Sequence, residues 1–243
     1  MATALVNHVK KIIDNLAQPY VFGSFGFTPS AGNMLIISGA LVTTGGFTPG
    51  VVSVTDSASG TWTLVKSEVG LYSAFVAWRE NIPSGLTSVT VNGNTSAFGF
   101  LSIDISEWSG MATASAQDQT NGASGNMAPA AVSSGNITTT NADDLLLTAA
   151  ASDDNGSTAW SAIGGSGAWT ELFQESDTLN HAAGQSGYQI VAATGTYNST
   201  QRYSIDDVGT SPVVIVALKA AAGGAADTYL ISRRRQTYFR AAQ

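Results

Sequence analysis

Apolar positions recur along the chain with two different periods. Near the start, Leu5, Val9, Ile12, Ile13 and Leu16 follow the i, i+4, i+7, i+8, i+11 spacing of one helix face. This predicts a short amphipathic helix over Ala4–Ala17, closed by Gln18-Pro19. From Tyr20 the period becomes two. Met34–Leu41, Val51–Thr55, Thr61–Lys66, Ser73–Trp78, Thr87–Val91 and Phe98–Trp108 are rich in β-branched and aromatic residues, with Gly, Asn, Pro or Ser between them. Within the last of these, Leu101, Ile103 and Ile105 mark the core face, and Phe100, Ser102, Asp104 and Ser106 mark the other. After a Gly/Ala/Ser-rich stretch over 109–136, strands resume at Leu145–Ala151, Trp169–Gln174, Tyr188–Ala193, Tyr203–Ile205 and Val213–Lys219.

The two runs read as one pattern written twice. Asn33-Met34-Leu35-Ile36-Ile37 parallels Asp143-Asp144-Leu145-Leu146-Leu147, and Gly60-Thr61-Trp62-Thr63-Leu64 parallels Gly167-Ala168-Trp169-Thr170. The expected fold is all-β: a two-sheet, jelly-roll-like sandwich of about ten strands from two similar halves, with a helical N-terminus and an extended C-terminal arm. The expected boundaries are a helix over 1–18, a sandwich over 19–220 with halves near 33–110 and 143–219, and a linker and arm over 221–243.

The same residues carry a resemblance. Met34–Ile37, Val54–Leu64, Ser73–Trp78 and Ile103–Gly110, then Asp143–Leu147 and Trp169, resemble a β-sandwich module of tailed-phage virion proteins and phage-derived bacterial surface proteins. The resemblance spans about residues 20–220. Its motifs are turns and core tryptophans, so it implies a fold and a virion setting, and no shared catalytic residues.

Composition narrows the chemistry. Charged residues are only 11% of the 243, and cysteine is absent, which excludes a disulfide scaffold, a cysteine nucleophile and thiolate metal ligands. No apolar run reaches the roughly 18 residues of a membrane helix. No P-loop, H-E-x-x-H or G-x-S-x-G motif is present. His8 and His181 read as surface histidines. The pairs Asp143-Asp144, Asp153-Asp154 and Asp206-Asp207 would point to opposite faces in a strand, so none forms an acid–base pair unaided. Asp153-Asp154-Asn155-Gly156-Ser157 is either a solvated turn or a structural calcium loop. No enzymatic activity, cofactor or catalytic metal is expected.

Charge is unevenly distributed. Residues 19–220 hold four basic residues against fifteen acidic ones, a net of −11, whereas 221–243 carry +3. After the small-residue linker Ala220–Ala226 come Tyr229, Leu230, Ile231, Arg233, Arg234, Arg235, Tyr238, Phe239 and Arg240. A solvated tail lacks aromatics, while Arg and Tyr are favoured interface anchors. Tyr229, Arg233, Arg234, Arg235, Tyr238, Phe239 and Arg240 are therefore the expected partner-binding residues. The acidic body disfavours nucleic acid as a partner. With the resemblance, these features lead to an expected virion structural protein. The leading form is a capsid decoration (cement) protein bound to the major capsid protein or to other copies in a large assembly. The alternatives are a tail or fibre component, or a carbohydrate-binding adhesion module. In the last case a glycan would sit at Trp160, the tryptophan expected to be exposed, beside Asp154 and Asn155.

Overall fold

A computed structural model of the chain describes residues 2–16, 19–43, 50–94, 99–127, 130–152, 160–177, 182–203 and 209–222. No helix occurs among them. The first half of the chain supplies β1 (Ala4–Leu16), β2 (Tyr20–Gly23), β3 (Met34–Thr43), β4 (Val51–Asp56), β5 (Thr63–Val69), β6 (Tyr72–Arg79), β7 (Ser88–Gly93) and β8 (Gly99–Ser109). The second supplies β9 (Gln117–Gly125), β10 (Val132–Ser133), β11 (Ile137–Thr138), β12 (Leu145–Ser152), β13 (Gly164–Gly165), β14 (Thr170–Asp177), β15 (Ala182–Ile190), β16 (Thr196–Tyr197), β17 (Ser199–Gln201) and β18 (Ser211–Leu218).

The two halves share one topology. In the first, a five-stranded sheet runs β1-β8-β3-β6-β5 and a three-stranded sheet β2-β7-β4. In the second, the orders are β9-β18-β12-β15-β14 and β10-β17-β13, with β11-β16 as an added pair. Each half thus has its first and last strands adjacent and returns repeatedly between its two sheets, the winding of a jelly roll. Backbone bonds repeat as well: Ile82 N–H donates to Asn33 O at 2.9 Å, and Val191 N–H donates to Asp144 O at 3.0 Å. Each half also recruits strands upstream of the apolar pattern, β1 and β2 in one and β9 to β11 in the other.

The N-terminal segment is a strand, which corrects the expected helix over residues 1–18. Spacings of four are even numbers, so Val9 and Ile13 share one face of a strand as readily as one face of a helix. Val6, Val9, Ile12 and Ile13 are all β-branched, which favours the pleated form. The edge of β8 supplies the partner, with Val9 opposite Ile105 and Ile13 opposite Leu101. The register shifts between Leu5 and Asn7. Val9 and Ile13 consequently pack into the first half's core, while Leu5 packs with Trp108 on the other side of the sheet.

The two five-stranded sheets stack face to face, giving four layers. Met34, Ile36, Val76, Trp78 and Trp108 meet Leu145, Leu147, Val214, Val216 and Leu218 in the seam between the halves. Tyr20, Phe25, Leu35, Ile37, Phe75, Leu101, Ile103 and Ile105 fill the first half's own core. Two smaller clusters, around Trp160 and Tyr203 and around Ile137 and Leu146, fill the second. The central strands β3, β12 and β18 are therefore buried along their whole length, on both faces. The face of β8 carrying Ser102, Asp104 and Ser106 is buried too, because it lies in the seam.

Candidate functional site

The expected partner-binding residues Tyr229, Arg233, Arg234, Arg235, Tyr238, Phe239 and Arg240 lie outside the described residues, as do His181, Asp206-Asp207 and the candidate calcium loop at 153–157. Trp160 is described, and its expected exposure is corrected. The residue is 7% exposed, its ring stands edge-on to Tyr203 at 4.9 Å, and its indole N–H donates to Glu175 O at 3.3 Å. It is a core residue of the second half and offers no face to a sugar.

Trp62 and Trp169 immediately precede β5 and β14, so they occupy equivalent places, each half-buried. Around Trp62 a polar network has formed. Asp56 Oδ2 accepts from Trp62 Nε1 at 2.6 Å and from Arg79 Nη1 at 2.5 Å, and Oδ1 accepts from the Ala58 N–H at 2.8 Å. Burial raises the Asp56 carboxyl, but the bonds from Arg79, Trp62 and the backbone outweigh it and hold the group below its usual range. A Cβ at Gly60 would meet the Arg79 guanidinium, so a larger residue there has to shift Arg79 within the network. Gly167, which lies under Gln189, has a φ of 80°, the left-handed backbone that favours glycine.

Four further carboxyls, Glu107, Asp104, Asp144 and Asp118, were not connected by sequence reasoning. Glu107, fully buried, accepts from Ser30 N–H and Asn33 Nδ2 at 2.7 Å and from Asn7 Nδ2 at 2.9 Å, tying β1 and the 24–33 loop to β8. Despite burial, those bonds hold it below the usual carboxylate range. Asp104 is buried in the seam, where burial pushes it up to about 6 against the opposing bond to His8 Nδ1 at 3.0 Å. Its cross-strand neighbour Lys10 reaches the other half and pairs with Glu175. Asp144 is pushed up to about 7 by burial and by the nearby charge of Asp118, whose own carboxyl is held low by the hydroxyl and N–H of Thr140 despite some burial. Asp118 precedes Asp144 by 26 positions and His8 precedes Asp104 by 96, so no local motif announces either pair. Among the described residues, no three His, Cys, Asp or Glu side chains gather closely enough to hold a metal ion.

One open cleft, of about 330 Å3, is lined by Thr61, Thr63, Trp78, Arg79, Glu80 and Thr113. It lies where β5 and β6 meet the connection between the halves. Comparison of the chain with protein-family models, curated proteins and solved structures finds no match.

Proposed function

We propose that the protein is a structural subunit of a phage virion, a capsid decoration protein fastened to neighbouring subunits through Asp227–Gln243. The observation that carries this reading is the anchoring of the chain where that segment departs. Strand β18 lies between β9 and β12, Ala220 bridges Met111, and Ala221 N–H donates to Gly110 O at 2.7 Å. Any segment that follows starts from a fixed point beside the link between the halves. Its composition, three consecutive arginines among Tyr229, Tyr238 and Phe239, suits contact with a protein surface. The body it leaves is acidic, with a net of −11 over residues 19–220, so a basic segment meets an opposite charge on neighbouring copies.

Long-range attraction between the acidic body and the basic segment is screened within about 8–10 Å in physiological salt, so attachment rests on contact. Truncation after Ala222 tests this. The shortened protein is expected to melt within a few degrees of the full chain and to lose incorporation into particles. Normal incorporation would remove the segment as the attachment device. Imaging the particle separates a capsid position from a tail or fibre position.

A further inference from the structure

The Thr61–Thr113 cleft presents an unusual set of groups for a surface dip. Thr61, Thr63 and Thr113 are exposed, and their hydroxyls join no hydrogen bond of the described residues. Glu80 Oε1 accepts from Ala116 N–H at 2.6 Å, which fixes the carboxylate and leaves its second oxygen for a ligand. Arg79, next to Trp78 along β6, sends its guanidinium to the opposite face of the sheet, where Nη1 donates to Asp56. Trp78, 1% exposed, contributes apolar floor, and its indole N–H is buried without a partner.

The scaffold does not demand this lining. By strand register the second half places Thr170, Tyr188 and Gln189 where the first has Thr63, Trp78 and Arg79, followed by Ile190 in place of Glu80. Ala168 replaces Thr61 in the shared Gly-x-Trp segment. The same fold is thus completed with fewer polar groups at this place.

Chemistry selects the ligand. Asp56 already matches the Arg79 charge, so Glu80 leaves the cleft with a negative excess that repels phosphates, sulfates and acidic sugars. Three hydroxyls that both donate and accept, and a carboxylate acceptor, complement vicinal hydroxyls, each of which also donates and accepts. The volume sits at the lower end of small-molecule pockets, which suits one ring. We propose that this cleft binds a neutral saccharide unit. The proposal is independent of the attachment role of Asp227–Gln243, and particle incorporation does not bear on it.

Saturation-transfer NMR on the full chain, with a panel of neutral hexoses, N-acetylhexosamines and a uronic acid, tests it. A neutral sugar is expected to bind saturably with a Kd of roughly millimolar order. The Thr61→Val/Thr63→Val variant, whose hydroxyls join no hydrogen bond of the described residues, is expected to melt as the parent does and bind about tenfold more weakly. An oligosaccharide that binds more tightly than its monomer marks a glycan as the source, and equal affinity marks a free sugar; both sustain the proposal. No saturable transfer from any neutral sugar, undiminished binding by the double variant, or preference for the uronic acid overturns it.

Discussion

Asp56 and Gly165 occupy the same place in the two halves, because Ser57 N–H donates to Ser88 O as Ser166 N–H donates to Asn198 O. In the first half the carboxylate collects Trp62, Arg79 and backbone N–H groups. In the second there is no carboxylate, and Trp169 Nε1 and Gln189 Oε1 are buried without protein partners. The seam shows the same asymmetry. Ser38 and Asp104 of the first half correspond to Ala149 and Val214 of the second. Winding and strand order therefore survive the exchange of a charged network for an apolar one. Shape and apolar area set the architecture, and the polar networks are local additions that differ in cost and in response to pH.

Breaking the first half's network is expected to have the largest effect. Asp56→Ala strands the Arg79 guanidinium and the Trp62 indole N–H, and should cost about 3 kcal/mol in denaturant unfolding. A loss below about 1 kcal/mol would show that the first half needs its carboxylate no more than the second does.

The pH dependence ranks next. Between 3.8 and about 6 for Asp104, and 3.8 and about 7 for Asp144, the folded chain holds protons that the unfolded chain has released. Stability therefore falls as pH rises across those intervals and levels off above them. Asp56, Glu107 and Asp118 act oppositely: held below their usual range, they lose their stabilising contribution as pH falls through their folded values. Thermal melts should peak at about pH 4–5 and drop by about 5 °C on going to pH 8. A maximum at neutral pH would show that Asp104 and Asp144 are not strained by burial.

The smallest change sharpens the comparison. Asp144 corresponds to Asn33, so Asp144→Asn writes the first half's residue into the second. It should raise Tm by about 2–4 °C at pH 8 and leave the melt near pH 4 unchanged, since the aspartate is already protonated there. An equal gain at both pH values would assign the effect to packing and not to charge.

Much of this architecture was legible in the pattern of apolar residues. Strands β3, β6, β8 and β18 stand out as β-branched and aromatic runs and β12 as a leucine run, and the Gly-x-Trp repeat marks equivalent entries to β5 and β14, whereas β15 (AAGQSGYQI) overlaps the expected Tyr188–Ala193 strand only at Tyr188–Ile190. Strand β1 was not legible as a strand, because a spacing of four serves both periods and only the free edge of β8 decides between them. Strand β9, with the sequence QDQTNGASG, has no apolar signal at all; its conformation comes from pairing along β18. Strands of two or three residues such as β10, β13 and β17 are too short to carry a period. The cleft was not legible either, since Thr113 joins Thr61 and Thr63 only when the connection between the halves folds back against β6.

Residues 110–116 link two sandwiches that bury their broad faces in each other. Two separate chains would meet that way only by a bimolecular encounter, with occupancy set by concentration. The covalent link replaces that encounter with a fixed effective concentration, in the millimolar range for short connections. Dilution therefore leaves the seam closed. The two sides of this built-in dimer can also diverge independently, which identical subunits related by symmetry cannot do.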